Sequence, residues 1–282
     1  MDRRTRNIEI FEDTMKLCKE NRRLSESVRK SVRGQQVILE SENLERVDAP
    51  RYTKKAEIVV SMKRTFEAAM GYKGQKTAVH NFASATNPGG GVTRGSSAQE
   101  ECLCRCSTLY PVISSPGSVQ MFHYRHRQLL KEGKLTALYN DDCIYTPGVT
   151  VFKSDTDAPG RLPESEWYDV DVITAAAPNL REKPSNRMNP GGGERVYIGS
   201  EELKKLHVKR MSRVMELAKR NQVEVLVLGA FGCGAFQNPP EIVAEAMAEA
   251  VEKYRYEFVA IEFAIYCSPR DRRNYEVFRE CF

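Results

Sequence analysis

In NPGGGVTRGSSAQEE the glycine triplet Gly89–Gly91 is followed, after a seven-residue spacer, by Gln99 and then two adjacent carboxylates, Glu100 and Glu101. A glycosidic bond breaks through an oxocarbenium-like transition state, so a site needs an acid for the leaving oxygen and groups that place the sugar and the water. Two glutamates can divide those roles. As neighbours at a helix start they project toward one side of a ligand, unlike the opposed carboxylates of an ordinary glycosidase. A helix N-terminus favours the ionised carboxylate, so the acid role requires burial or a nearby negative charge, which each glutamate can supply to the other. Plainer roles fit the same residues. Ser97 and Glu100 have capping-box spacing, and Glu101 and Arg105 have the spacing of a helix-surface ion pair. Gly89, Gly90 and Gly91, preceded by Asn87, allow positive φ and close approach of the backbone to a ribose or phosphate.

A second glycine segment, VEVLVLGAFGCGAFQNPPEIVAEA, runs from an apolar strand through Gly229, Gly232 and Gly234 into a helix. Such a loop presents backbone amides to an anion, helped by the helix dipole. It lacks the Gly-Lys-Ser/Thr of a Walker A loop, and its glycines run GxxGxG rather than the dinucleotide pattern GxGxxG. Phe231 and Phe236 either cover a base or sugar or simply pack. Together the two loops suggest a ligand carrying a pyrophosphate and a ribose near the acid pair, and ADP-ribose fits. The second NPGGG, Asn189–Gly193, lacks an acid pair and reads as a turn. Cys102, Cys104 and Cys106 have neither CxxC spacing nor a histidine partner set, so they read as small buried residues rather than a metal box.

The elements that must carry these loops follow from apolar patterning. Short Val/Ile-rich runs near 36–39, 57–62, 77–82, 170–177, 223–229 and 258–266 read as strands. Between them, 62–70, 97–109, 201–220, 239–254 and 271–278 have helical spacing, with Pro239 in a first turn. Alternating strands and helices predict a layered α/β fold with a mainly parallel central sheet. Residues 1–34 have helical spacing of their own, predicting an N-terminal helical segment over 1–35 ahead of one domain spanning 36–282. The Pro/Gly/Asn-rich stretch 178–200 reads as a surface loop.

At 282 residues the chain is long enough for one enlarged α/β domain. A hydrophobic fraction of 41% with 29% charged residues describes a globular chain rather than a disordered one. The net charge of +5 is a mild bias toward phosphorylated ligands. Clusters such as Arg3–Arg6 and Arg270–Arg273 lack interleaved aromatics and read as solvated faces, not a dedicated nucleic-acid groove. The sequence shows neither a signal-peptide h-region nor a membrane-length apolar run, so a cytoplasmic or nuclear-type compartment, with the cysteines as free thiols, is expected.

HNFASATNPGGGVTRGSSAQEECLCRCSTLY resembles the signature of bacterial-type poly(ADP-ribose) glycohydrolases, a macrodomain family marked by GGG, a short spacer and QEE. GAFGCGAFQNPP resembles their diphosphate loop, and IYTPGVTVFKSD and VITAAAPN resemble segments between; the likeness spans about residues 5–282. It implies a macrodomain-like three-layer α/β/α fold with a mixed, mainly parallel sheet and an N-terminal helical extension. It also implies hydrolysis of ribose–ribose O-glycosidic bonds in poly(ADP-ribose), releasing ADP-ribose, with no metal or other cofactor and no membrane partner. On this resemblance Glu101 is the general acid, Glu100 orients the ribose and Gln99 supports it. Asn87 and Gly89–Gly91 lie along the distal ribose and pyrophosphate, while Gly232, Cys233, Gly234, Ala235 and Phe236 hold the diphosphate. Hydrolysis of another ADP-ribosyl linkage, on protein, nucleic acid or a small acceptor, would use the same pair. A macrodomain that only binds ADP-ribose would not need it.

Overall fold

The computed structural model describes residues 2–44, 49–186, 191–268 and 270–282. Among the described residues seven strands form one sheet: β1 (Gln36–Ile38), β2 (Glu57–Ser61), β3 (Thr77–Phe82), β4 (Cys143–Val151), β5 (Tyr168–Ala175), β6 (Val225–Leu228) and β7 (Ala260–Ala264). Their order is β1-β4-β5-β3-β6-β7-β2. Pairings from β5 across to β2 are parallel, and β1–β4 and β4–β5 are antiparallel. The sheet is thus mixed and mainly parallel, as expected.

The helices are α1 (Arg3–Glu20), α2 (Arg22–Gly34), α3 (Thr65–Met70), α4 (Gln99–Cys106), α5 (Leu109–Ile113), α6 (Pro116–Ser118), α7 (Arg125–Lys131), α8 (Ser200–Arg220), α9 (Pro240–Lys253) and α10 (Arg273–Cys281). Alternation along the strands sorts the core into two faces. Ala78, Ile173 and Leu226 meet Met211 and Met215 of α8, Met247 of α9 and Phe278 of α10. Their neighbours Val79, Val172 and Val227 meet Phe66 of α3, Leu103 of α4, Leu109 of α5 and Phe11 of α1. Period-two side chains buried on both sides make the three-layer architecture.

Several sequence readings are refined. Pro239 is the N-cap of α9, and Pro240 takes the first-turn position. Strand β4, absent from the patterned runs, is interrupted by Pro147 and Gly148, where its register with β5 shifts between Thr146 and Val149. A bulge breaks the alternation by which a strand is recognised. The turn reading of Asn189–Gly193 falls partly outside the described residues. The other described residues of the 178–200 stretch, apart from Ser200, run without helix or strand, but Pro178 and Asn179 are buried rather than at the surface.

Candidate active site

The parallel strands end at one edge of the sheet, where ligands of open α/β folds bind. There β3 leads into the loop carrying Gly89–Gly91 and then into α4, and β6 leads into the loop Gly229–Phe236 and then α9. Both glycine loops are therefore brought to the same edge.

The capping-box reading of Ser97 and Glu100 is overturned. α4 starts from Ala98 with no side-chain cap. Glu100 instead turns inward, 3% exposed, and accepts the Ser84 amide at 2.9 Å and Asn81 Nδ2 at 3.3 Å. The Gly89 amide also reaches it. The ion-pair reading of Glu101 fails as well: Arg105 is 2% exposed and donates to the Ser96 carbonyl at 2.5 Å and to Cys102 Sγ at 3.3 Å. Glu101 is itself buried, and its Oε1 accepts the Gly91 amide at 2.9 Å.

These contacts show why glycines are needed ahead of the acids. Gly90 has φ +57°, and a Cβ there would stand 2.7 Å from Glu101 Oε1 and 3.2 Å from Glu100 Oε2. The loop can close over two carboxyl groups because that side chain is missing. Asn87 braces the same turn by donating to the Gly90 carbonyl. Gln99 supports the pair indirectly, tying the start of α4 to β3 and α3: its Oε1 accepts the Phe82 amide at 2.9 Å, while its Nε2 donates to the His80 carbonyl at 2.8 Å and to Thr65 Oγ1 at 3.1 Å.

Burial first, then the negative charge of Glu101, pushes the Glu100 carboxyl up to about 8. Burial also raises Glu101, opposed by the Gly91 amide. The pair therefore keeps a proton near neutrality, as an acid must. Asn81 fits that state. It is fully buried, its Oδ1 has no partner among the described residues, and turning its amide over would let that oxygen accept a hydrogen bond from protonated Glu100.

Beside the pair lies a cavity of about 340 Å³ whose walls include Ala98, Gln99, Gly232, Gly234, Ala235 and Phe236. Glu100 and Glu101 do not wall this void; the two residues just before them do. The cavity is thus a space for the body of a ligand, with the acids at its margin. Phe236 is half-buried, with the Arg181 guanidinium 5.2 Å from its ring centre. Phe231, by contrast, is fully buried against His80 and Phe82, so packing is its role. Cys233 stands outside the cavity wall, on the neighbouring surface with Gln237 and Asn238. Gly232 has φ +81°, and a Cβ there would stand 2.6 Å from Asn238 Nδ2 and 2.7 Å from Ala177 Cβ; Gly234 has nothing within 4 Å. The first is glycine for the fold, and the second leaves open space.

Sequence reasoning missed Arg64, Asp155 and Tyr266, which also wall the cavity. Arg64 lies 3.7 Å from the Tyr266 ring centre. Asp155 accepts the Phe66 amide at 3.0 Å, while its other oxygen is buried with no partner among the described residues. The three come from distant segments without motif spacing; only the likeness of the 144–155 segment drew attention to one of them. Cys104 and Cys106 are fully buried in the core, and Cys102 borders the cavity.

The sequence pattern of the family described as microbial-type PARG, catalytic domain, matches residues 5–154. The chain belongs to this family. It is similar in structure to the poly(ADP-ribose) glycohydrolase of Thermomonospora curvata, with TM-score 0.82 and 29% identity over 99% of this chain and 100% of that one. The same enzyme bound to the inhibitor ADP-HPD gives TM-score 0.79 at 28% identity, again over 99% and 100% of the two chains. The Deinococcus radiodurans poly(ADP-ribose) glycohydrolase in complex with ADP-ribose gives TM-score 0.70 at 30% identity, over 90% of this chain and 95% of that one. No curated protein matches the sequence. Among the described residues, no helix is long and apolar enough to cross a membrane.

Proposed function

We propose that this chain hydrolyses the ribose–ribose O-glycosidic bond of poly(ADP-ribose) and releases ADP-ribose, with Glu101 as general acid and Glu100 as the group that orients the ribose. The observation that carries the reading is the buried carboxyl pair under the glycine loop. Both Glu100 oxygens are committed to protein donors, which suits a positioning role, while Glu101 faces the Gly90–Gly91 backbone. Glu101 gives its proton to the leaving ribose hydroxyl oxygen as the bond to the anomeric carbon breaks. The resulting carboxylate then takes a proton from the water that adds to that carbon, which restores the acid.

On this reading the GGG-x7-QEE element is the macrodomain-family glycohydrolase signature. The diphosphate lies along Gly232–Phe236, with Phe236 against the ribose. The base occupies the cavity near Tyr266, where the free Asp155 oxygen offers a partner to its amino group. A cytoplasmic setting, where thiols stay reduced, suits eight free cysteines. A protein that only bound ADP-ribose would gain nothing from burying two carboxyl groups at the desolvation penalty they carry. Incubating the wild type and Glu101→Ala separately with purified poly(ADP-ribose), and following ADP-ribose by chromatography, tests the reading. Release by the wild type alone is expected; equal release by the variant would remove Glu101 from the acid role. If neither releases ADP-ribose while both bind it, the scissile linkage is a different one or the site only binds.

A further inference from the structure

We infer that α1 holds both ends of the catalytic glycine loop in register with the acid pair, making Asn7 and Phe11 positioning residues for bond cleavage. The inference rests on the reading of Glu100 and Glu101 as the reacting pair. At the start of the loop, Gly89 stands against the Tyr110 ring, where a Cβ would lie 2.6 Å from Tyr110 Cδ2. The same ring makes a T-shaped contact with Phe11 of α1, with centroids 4.8 Å apart. At its end, Gly95 packs on the first turn of α1, where a Cβ would lie 2.4 Å from the Arg4 carbonyl oxygen. Asn7 Nδ2 donates to the Gly95 carbonyl at 3.0 Å in a buried setting.

The same face of α1 also reaches the helix that carries the acids. Thr14 Oγ1 donates to the Arg105 carbonyl at 2.6 Å. Asn7, Phe11 and Thr14 recur at helical spacing, so one stripe of one helix touches the loop end, the ring beneath the loop start, and α4. The stripe is itself anchored: Lys153, 2% exposed, donates to Thr14 Oγ1 at 2.7 Å and to the Ile10 carbonyl at 2.8 Å and pairs with Asp13 at 2.8 Å. Burying Asn7 only to fill space would waste a polar group, since an apolar side chain packs without a desolvation penalty. Its amide is used on the loop backbone four residues after Gly91, the residue whose own amide holds Glu101.

The test uses the full-length protein as Asn7→Leu and Phe11→Leu, with Glu9→Ala on the exposed side of α1 as the control. Turnover and KM on poly(ADP-ribose), ADP-ribose affinity by calorimetry, and hydrogen exchange of the Gly89–Ser96 amides are read together. Asn7→Leu is expected to lower kcat by about 10- to 100-fold, the scale of a small misplacement, with KM and ADP-ribose affinity within about threefold. Exchange should quicken in the loop and not in β3 or α8. Phe11→Leu should act in the same direction and serves if Asn7→Leu fails to fold. Unchanged kcat and exchange in both variants would overturn the inference. So would a loss of kcat matched by equal loss of ADP-ribose binding and faster exchange throughout the sheet, since that is the pattern of a merely structural helix. If the wild type does not cleave poly(ADP-ribose), the functional reading fails alone: loop-confined exchange in the variants still supports the hold of α1 on the loop, and unchanged exchange overturns it.

Discussion

Glu100 and Glu101 differ by one position in sequence and by their partners in space. Ser84 and Asn81 donate to the two oxygens of Glu100, which the Gly89 amide also reaches, whereas Glu101 takes the loop amide of Gly91. Glu101→Gln keeps an acceptor for that amide and removes the transferable proton. It should lower kcat by about 100-fold or more while ADP-ribose affinity stays within about tenfold. Stopped-assay kinetics beside calorimetry would show it, and a proportionate loss of both would mean that Glu101 binds rather than reacts. Asn81 belongs to the same scale. Asn81→Asp places a third carboxyl beside the pair, 3.3 Å from Glu100 Oε1 if its oxygen takes the place of the present Nδ2, and should raise the pH at which activity is lost. An unshifted pH–rate profile would show that Asn81 does not take part in holding the proton. The residue types were legible from GGG-x7-QEE, but their burial was not: the same sequence allows capping box, surface pair and buried acid, and it takes the Ser84 and Asn81 contacts of Glu100, the Gly91 contact of Glu101 and the turned-away Arg105 to decide among them.

At the scale of elements, each glycine loop joins a parallel strand to a helix, and that much was readable because apolar runs alternate with helical patterns. What the pattern could not separate is the work of one glycine from another. Gly232 is hemmed in by Asn238 and Ala177, whereas Gly234 is open. Gly232→Val, an apparent way to crowd a diphosphate, therefore strains the protein itself. Gly234→Val adds bulk only to the cavity wall. We expect Gly234→Val to weaken ADP-ribose binding by about tenfold or more with the melting temperature nearly unchanged, and Gly232→Val to lower both. Calorimetry and thermal melts on the two variants would decide this; unchanged affinity in Gly234→Val would take the diphosphate away from this loop. The bulged β4 escaped recognition because Pro147 and Gly148 break its alternation. Its likeness to known enzymes marked the segment without revealing that it is the strand joining β1 to the rest of the sheet.

For the whole molecule, the burial that makes the acid pair useful opposes folding at high pH. The Glu100 carboxyl has its pKa pushed from 4.5 to about 8 in the folded protein. Above the lower value the unfolded chain releases a proton that the folded chain keeps, so stability falls as pH rises from 4.5 to about 8, by at most about 1.4 kcal/mol per pH unit. Asp13 acts with the opposite sign. Its hydrogen bond to Arg161, followed by Lys153, lowers it from 3.8 to about 2, so its contribution is complete above 3.8 and is lost as pH falls through 2. Glu100, proposed above to orient the ribose, thus contributes to an alkaline limb, and Asp13, which ties α1 to Lys153 and Arg161, to an acid limb. Glu100→Gln should flatten the decline of melting temperature between about pH 5 and 8 and leave the acid limb in place. Asp13→Asn should do the reverse, and because it leaves the buried Lys153 without its carboxylate it should also lower the melting temperature at neutral pH. Melting curves of the three proteins from about pH 2 to about pH 9 provide the comparison. An alkaline decline that survives in Glu100→Gln would place the retained proton somewhere other than on Glu100, whereas its loss would tie the alkaline limit of the fold to the carboxyl proposed to orient the ribose.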